Sequence, residues 1–162
     1  MKIGIIIIFH NNEKDFNFNF LTQQIERAQN LEICLVNNCS KDNTYQLLCD
    51  IKERCNTNNI SVIDMKKFKS DISAIRVAAK YMLNTLNLSC IGYISAILLN
   101  TKYHNLSKLI ASVNKNKEQV LSLYIETKEN QRTNTSLFES LFSVVQFLEQ
   151  IKESPRLFSF QF

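Results

Sequence analysis

The chain begins with a nearly unbroken run of isoleucine, from Ile3 to Ile8, which ends in a turn at 9–12 of sequence Phe-His-Asn-Asn. A shorter apolar run at 33–36 ends in a second turn, Asn-Asn-Cys-Ser at 37–40. Short apolar runs rich in β-branched residues and closed by asparagine are typical of strands buried on both faces, as in parallel sheets. Both turns are therefore predicted at the carboxyl ends of strands, where open α/β sheets bind ligands.

Strand and helix patterns alternate along the rest of the chain. Apolar runs predict strands at 3–9, 32–37, 60–65, 90–99 and 119–125. Helical periodicity after capping residues predicts helices at 17–30, from Ser40 or Asp42 to about 56, from Ser70 or Asp71 to about 86, at 103–114 and at 136–152. This alternation predicts an α/β protein with three α/β/α layers and a mostly parallel sheet.

Apolar residues spaced three and four apart are predicted to face the sheet from the first three helices. They are Phe16, Phe20, Leu21 and Ile25, then Leu47, Leu48 and Ile51, then Ile72, Ile75, Ala79 and Leu83.

The composition is that of one globular domain covering residues 1–162, with 45% hydrophobic and 21% charged residues. The net charge of +4 comes with no dense basic tract, so no nucleic-acid partner is predicted, and the lysines at 66–69 are interpreted as a solvated loop. No apolar run approaches the ~20 residues of a transmembrane helix. With Gly4 and Gly92 as the only glycines, a glycine-rich phosphate loop is excluded.

The five cysteines, an odd number without a signal peptide, predict free thiols in a reducing, cytoplasmic location. Cys34 and Cys90 lie in apolar runs and are predicted to be core residues. The other three cysteines lack the spacing of metal ligands.

Three blocks occur in the order strand–turn, strand–turn, helix start. They are Ile-Phe-His-Asn at 8–11, Asn-Asn-Cys-Ser-Lys-Asp-Asn-Thr at 37–44 and Ser-Ala-Ile-Arg-Val-Ala-Ala at 73–79. Together they resemble family 2 glycosyltransferases of the GT-A fold, whose corresponding blocks are a Pro-x-Tyr-Asn type turn, Asp-Asp-Gly-Ser-x-Asp-x-Thr and Ser-Ala-Ala-Arg-Asn-x-Gly. In the second block the Ser, later Asp, Asn and Thr are kept, whereas the two leading acids have become amides. The resemblance covers 1–125 and leaves 126–162 as a loop, an amphipathic helix and an apolar tail.

The resemblance implies a binding site for a nucleotide sugar linked to UDP or GDP. Its residues would be Phe9 and His10 on the base, Asn11 in the turn, Asn37 in place of the aspartate that contacts base or ribose, and Arg76 on the nucleotide side. The residues alone leave a structural alternative for several of these: Asn11 can simply form the turn, His10 can be a loop histidine, and Arg76 can lie on a helix surface.

The resemblance also shows which catalytic parts are absent from the sequence. The family's metal-binding Asp-x-Asp follows a Gly-x-Tyr-Ile strand, and here that region holds Leu98 and Asn100. Leucine offers no oxygen to Mg²⁺ or Mn²⁺, so no metal site and no cofactor are predicted. The acids after the last family-like strand, Glu126, Glu129 and Glu139, are predicted to be solvated, which leaves the catalytic residues unknown.

The sequence thus predicts a glycosyltransferase-like protein with weak or no transferase activity. The alternative is a non-catalytic interaction domain that acts through a homodimer or a partner glycosyltransferase. It depends on the broad apolar stripe predicted for the last helix, formed by Leu137, Leu141, Val144, Leu148 and Ile151 with Phe138, Phe142 and Val145 beside it.

A flavodoxin-like or receiver-like domain is the alternative architecture for five strand–helix units of this length. Asp64 after the third strand fits a receiver, but the Phe-His-Asn turn after the first strand lacks its paired acids.

Overall fold

A computed structural model of the chain describes residues 2–96, 106–130 and 141–146. Its strands are β1 (Ile3–Phe9), β2 (Leu31–Asn38), β3 (Ile60–Met65), β4 (Cys90–Ser95) and β5 (Leu141–Ser143). Its helices are α1 (Phe18–Arg27), α2 (Thr44–Arg54), α3 (Asp71–Thr85), α4 (Leu106–Lys115) and α5 (Lys117–Asn130). The strands form one sheet in the order β3-β2-β1-β4-β5, and each neighbouring pair is parallel.

The isoleucine-rich strand β1 is the centre of this sheet. It pairs with β2 on one side and β4 on the other, so that Ile5 lies opposite both Ile33 and Gly92. All seven of its residues are buried. Ile5 and Ile7 pack into the apolar layer beneath α1, α2 and α4, whereas Ile6 and Ile8 pack under α3 on the other face. A strand covered on both faces needs apolar side chains in both directions, which explains the unbroken run.

The direction of the chain across the sheet explains the placement of the helices. From β1 to β3 the chain moves toward one edge, with α1 and α2 on the same face. Between β3 and β4 it moves back past β1, and α3 lies on the opposite face. Right-handed crossovers require this change of face when the direction reverses. The sheet is therefore sandwiched between helical layers, which confirms the predicted α/β fold with its parallel sheet.

Polar side chains set the starts of two helices as expected from capping chemistry. Asn17 accepts from the backbone N–H of Phe20 at the start of α1, at 3.1 Å. Ser70 accepts from the N–H of Ser73 at the start of α3, at 3.3 Å. The prediction of a cap at Ser70 is confirmed.

The strand order decides against the flavodoxin-like alternative. Flavodoxin-like and receiver domains have the order 2-1-3-4-5, in which the third strand is a neighbour of the first. Here β3 is an edge strand that pairs with β2 alone among the described strands. The alternative architecture is therefore wrong.

The predicted strand at 119–125 is wrong, because these residues lie within α5. Val120, Leu121 and Tyr124 are the buried residues of this segment. Their spacing of one and four residues is that of one helix face, so the apolar content of the segment was a misleading strand signal.

The helix predicted at 136–152 is also wrong in its described part. Leu141–Ser143 forms β5 along the free side of β4, and a helical turn begins only at 144. Phe142 and Val144, assigned to a possible interface stripe, are buried in the core. Leu137, Phe138, Leu148 and Ile151 lie outside the described residues.

Two predicted inward residues face solvent instead. Phe20 on α1 is 44% exposed and Ile72 on α3 is 62% exposed. Leu21, next to Phe20, and Ile75, one turn after Ile72, are buried. The buried face of each helix is therefore narrower than predicted. The prediction that Cys34 and Cys90 are core residues is confirmed, since both are buried. No helix in the described part of the chain is long and apolar enough to cross a membrane.

Replacing Gly92 by alanine should destabilise the protein. A Cβ atom at this position would lie 2.6 Å from Cγ2 of Val144 and 2.8 Å from Cζ of Phe142. Both contacts involve short or rigid buried side chains, so we expect a loss of about 1–3 kcal/mol in the free energy of unfolding by urea denaturation.

The matched control is Gly4→Ala. A Cβ atom there would meet the flexible ends of Leu88 and Met82, at 2.8 and 2.9 Å, which can move more readily. An equal loss in the two variants would contradict the tight packing of β5 on β4.

Candidate functional site

The strand order predicts a ligand-binding crevice at the carboxyl edge of the sheet, between β1 and β4. The chain runs from β1 toward β3 on one side, and β4 lies on the other side. Loops after such neighbouring strands diverge, and ligands of open α/β sheets bind where they do. Two described segments form this edge beside β1. They are the turn after β1, which we call the first turn (10–13), and the end of β2 with the loop that follows it, which we call the second loop (37–44).

The first turn is a tight, side-chain-stabilised turn. Asn11 has a positive φ of 53°, a left-handed conformation that asparagine tolerates better than most residues. The N–H of His10 donates to Oδ1 of Asn12 at 2.6 Å, and Nδ2 of Asn12 donates to Asp15 at 2.7 Å. The Asn-Asn pair that ends β1 is therefore required by the turn itself.

Side chains of the second loop that match the glycosyltransferase motif accept hydrogen bonds from the backbone of the first turn. Ser40 Oγ accepts from the N–H of Asn11 at 3.0 Å, and Thr44 Oγ1 accepts from the N–H of Asn12 at 2.8 Å. In return, Asn11 Oδ1 accepts from the N–H of Lys41 at 2.7 Å. These side chains bind backbone groups that leave the sheet without strand partners.

Asp42 completes this connection. Its Oδ2 accepts from the N–H of Glu13 and its Oδ1 from the N–H of Thr44, both at 3.0 Å. Desolvation opposes ionisation, but the hydrogen bonds from Thr44 and from the Glu13 backbone outweigh it and lower the pKa of Asp42. Asp42 also serves the start of α2, where the formal cap Asn43 makes no side-chain bond.

The Asn37 amide, at the start of the second loop, is buried and hydrogen-bonded through both its nitrogen and its oxygen. Asn37 is 3% exposed; its Nδ2 donates to Asp64 on β3 at 2.7 Å, and its Oδ1 accepts from the N–H of Ser40 at 3.3 Å. An aspartate could not donate to Asp64. An amide at position 37 is therefore the residue type that this contact requires.

Asp64 is an ionised anchor for this amide. The hydrogen bond from Lys66, at 2.5 Å, is the largest cause that lowers the pKa of Asp64; desolvation opposes it and the Asn37 amide adds to it. A lowered pKa means that the interaction stabilises the fold above the ordinary carboxyl pKa and is lost as the pH falls through the lower folded value.

The second amide holds the loop that follows β3. Asn38 is fully buried; its Nδ2 donates to the carbonyl of Lys69 at 2.7 Å and its Oδ1 accepts from the N–H of Lys69 at 3.0 Å. The carbonyl of Asn38 accepts from Nδ1 of His10 at 2.7 Å. Because a carbonyl oxygen only accepts, Nδ1 carries the proton. Nε2 then accepts from Nδ2 of Asn11 at 3.1 Å.

Phe68 is an aromatic residue of this edge that the sequence analysis did not identify. Its ring lies 4.8 Å from the His10 ring, centroid to centroid, at 60°. It is 62% exposed, unlike most phenylalanine side chains. The only sequence signal was an aromatic residue among lysines directly after a strand.

The structure brings four of the five predicted site residues together, but they differ in accessibility. Asn11 is exposed, His10 is half-buried and Asn37 is buried. Phe9 is 0% exposed, and its ring packs on Phe16 at 5.8 Å and Phe18 at 6.5 Å. The prediction that Phe9 stacks on a base is therefore corrected: its ring belongs to the core, because the last residue of β1 points toward α1.

Arg76 lies apart from these residues along the chain, on the exposed side of α3. Its helix packs against the same sheet face as Ile6 and Ile8, beside the central strand. The place of Arg76 in the site stays a prediction. Leu98 and Asn100, the residues in the metal-motif region, lie outside the described residues. Within 2–96, 106–130 and 141–146, no three His, Cys, Asp or Glu side chains are grouped as metal ligands.

A second concave surface lies at the opposite, amino edge of the sheet. It is lined by Lys2, Glu32, Leu86, Asn87 and Ser89. The Lys2 ammonium and the Glu32 carboxylate in it are 2.6 Å apart and neutralise each other. The amino edge is not where open α/β sheets bind ligands, so we assign the candidate site to the carboxyl edge.

No protein-family model matches the sequence, and no curated protein sequence matches it. Among solved structures, residues 1–349 of S. aureus TarS match with a TM-score of 0.49 and 17% identity, covering 84% of this chain and 39% of that one. A second S. aureus TarS structure matches with a TM-score of 0.45 and 17% identity, covering 72% of this chain and 20% of that one. The chain thus spans about two fifths of the length of the first of these proteins.

Asn37→Asp should destabilise the protein in a pH-dependent way. It would place a second carboxylate against Asp64 and remove the donor between them. Two carboxylates at this distance raise the pKa of the pair, so stability is lost as the pH rises. We expect a loss of about 2–3 kcal/mol at pH 7 that shrinks as the pH falls toward about 4, measured by urea unfolding across this range.

The double variant Asn37→Asp/Asp64→Asn restores one amide and one carboxylate. It should recover part of the stability at pH 7, although the ion pair with Lys66 is weakened. A single variant as stable as the wild-type protein at pH 7 would show that the Asn37–Asp64 contact is not formed.

Asp42→Asn should weaken the connection between the first turn and the second loop. One of the two oxygens that accept backbone N–H groups becomes an amide nitrogen, so we expect a loss of about 1–2 kcal/mol in thermal or urea unfolding. Asp50→Asn on α2 is the control, since Asp50 accepts only from Gln46 on an exposed face. Equal effects of the two changes would contradict the role assigned to Asp42.

Proposed function

We propose that this chain is a glycosyltransferase-like domain that binds a nucleoside diphosphate sugar at the carboxyl edge of its sheet. The observation that carries the proposal is the bonding of the first turn to the second loop, at the carboxyl ends of β1 and β2, through Ser40, Asp42 and Thr44. These are the motif residues that the chain retains from the family 2 pattern. Their shared role as a framework explains why they are kept while the leading acids are not.

The proposed nucleotide contacts follow from what is accessible at this edge. The half-buried His10 and the exposed Phe68 form an aromatic pair that can border a base, and this pair takes the role first predicted for Phe9. Asn11 lies exposed beside them. Asn37 is proposed to support the site without contacting the ligand, because its amide nitrogen and its amide oxygen are both already hydrogen-bonded. Arg76 is proposed to face the diphosphate, where a guanidinium binds phosphate oxygens in pairs.

The residues at the metal-motif positions do not fit a divalent cation. Leu98 has no donor atom, and Asn100 offers a neutral oxygen where the family has a carboxylate. No metal-dependent step is therefore derived for this chain. Without a cation on the leaving diphosphate, binding is expected to be weak and transfer slow or absent.

The proposal is tested by calorimetric titration with UDP and GDP sugars, with and without Mn²⁺. We expect weak binding of one nucleotide class that Mn²⁺ does not strengthen. Arg76→Ala should lower the affinity by about tenfold or abolish binding, because a phosphate contact is lost. Arg27→Ala removes an exposed arginine from α1 on the other face of the sheet and should leave binding unchanged.

Two results would contradict parts of this proposal. Affinity that rises strongly with Mn²⁺ would show that a metal site exists despite Leu98. The absence of any nucleotide binding would favour the alternative, a non-catalytic interaction domain that works through a homodimer or a partner enzyme. That alternative has lost Phe142 and Val144 as surface residues, because both are buried. Light scattering at micromolar concentration would then test for a dimer.

A further inference from the structure

The positive charge of this chain is concentrated in one short segment. Residues 66–81, here called the basic segment, contain five basic residues and one acid, for a net charge of +4. The whole chain also carries +4, so the remaining residues contain equal numbers of basic and acidic side chains. Lys66 is paired with Asp64 just before the segment, whereas Lys67, Lys69 and Lys80 are exposed, so the segment gives the described part of the chain an electropositive surface.

The same segment carries most of the exposed large apolar side chains in the described part of the chain. Of seven such residues, four belong to it: Phe68, Ile72, Val77 and Tyr81. Phe68 and Ile72 are the most exposed of the seven, at 62% each. Cations and exposed apolar side chains therefore occupy one continuous stretch, the loop after β3 and the outer side of α3.

The loop holds its apolar tip in a fixed position. Both backbone groups of Lys69 are bonded to the buried Asn38 amide, and Phe68 rests against the His10 ring. Lys67 and Lys69 are exposed on either side of Phe68, and Ile72 follows in the first turn of α3. Fixed backbone groups lower the entropy that this tip would lose on contact with a partner.

We propose that the basic segment docks on an anionic lipid bilayer. Lys67, Lys69 and Lys80 would lie at the level of the headgroups, while Phe68 and Ile72 would enter the boundary of the acyl chains. Lysines near an anionic membrane are attracted by its surface potential, and adjacent apolar side chains add to binding when they leave water.

The chemistry of the segment favours a bilayer over other anionic partners. A nucleic acid would use the charges and the aromatic rings, but aliphatic side chains such as Ile72 and Val77 gain little from its phosphates. A bilayer uses both kinds of group at once. Phe68 belongs both to this segment and to the proposed nucleotide site, so docking and nucleotide binding would compete for its ring. Docking would turn the carboxyl edge, which holds His10 and the first turn, toward the membrane.

The experiment is co-sedimentation of the full chain with vesicles, one set of pure phosphatidylcholine and one containing phosphatidylglycerol. We expect binding to the anionic vesicles alone, falling steeply as NaCl rises from about 0.05 M to about 0.5 M. Lys67→Glu/Lys69→Glu should lower the partition constant by about tenfold or more. Phe68→Ser/Ile72→Ser should lower it severalfold and leave a weaker, purely electrostatic attraction.

Each variant has a matched control at exposed positions elsewhere. Lys52→Glu/Lys108→Glu changes the net charge equally on α2 and α4, and Phe20→Ser/Ile125→Ser removes comparable apolar side chains from α1 and α5. Both controls should retain binding. Because all the changed side chains are exposed, circular dichroism should show the same fold in every variant.

Three results would overturn the proposal. The first is equal binding to neutral and anionic vesicles. The second is an equal loss in the Lys52/Lys108 control, which would mean that only net charge matters. The third is no vesicle binding together with binding to an acidic protein or an oligonucleotide that the Lys67/Lys69 variant loses, which would assign the segment to that partner.

Discussion

The arrangement of this domain depends on side chains that bond the backbone of a neighbouring loop. Where parallel strands end, backbone N–H and carbonyl groups lose their strand partners and need others. Here Ser40, Asp42 and Thr44 supply acceptors to the first turn, and Asn38 supplies a donor and an acceptor to Lys69. The three loops at the carboxyl edge are thereby fixed relative to one another. The central strand β1, buried on both faces, provides the rigid base on which they stand.

This constraint gives a physical reason for amides at 37 and 38, where the glycosyltransferase pattern that the sequence resembles has acids. At 37 and 38 each side chain donates with its nitrogen and accepts with its oxygen, and both are buried. A carboxylate in either place could only accept, and it would face Asp64 or the carbonyl of Lys69. The two amides thus form a hydrogen-bond network that fixes the loops without adding negative charge to this edge. A site of this kind can present surfaces to a ligand but has fewer charged groups for chemistry.

Much of the fold was predictable, because its strongest signals are local. The bounds of β1 and β3 match their apolar runs, and Ser70 caps α3 as its chemistry predicts. The helix at 117–130 and the strand at 141–143 were not predictable from periodicity, since short apolar segments fit either element and tertiary pairing decided both.

Within the candidate site, the resemblance predicted residues that the structure places at the carboxyl edge of the sheet, but it did not predict the direction of each side chain. Phe9 was misassigned because the alternation of a strand, rather than its position before a turn, decides which way its last side chain points. Phe68 was missed because a single aromatic residue among the lysines of a solvated loop is a weak signal, and nothing in the sequence places its ring beside His10. The direction of a loop side chain depends on contacts distant in sequence, here Asn38 and His10.

The most direct test of the central claim, that the ligand site lies at the carboxyl edge between β1 and β4, is a nucleotide titration followed by backbone amide NMR. A UDP or GDP sugar is expected to shift the amide signals of His10, Asn11 and Lys41, while the amide signal of Ser89 at the opposite edge stays constant. Shifts confined to the amino edge, around Lys2, Glu32 and Ser89, would contradict it.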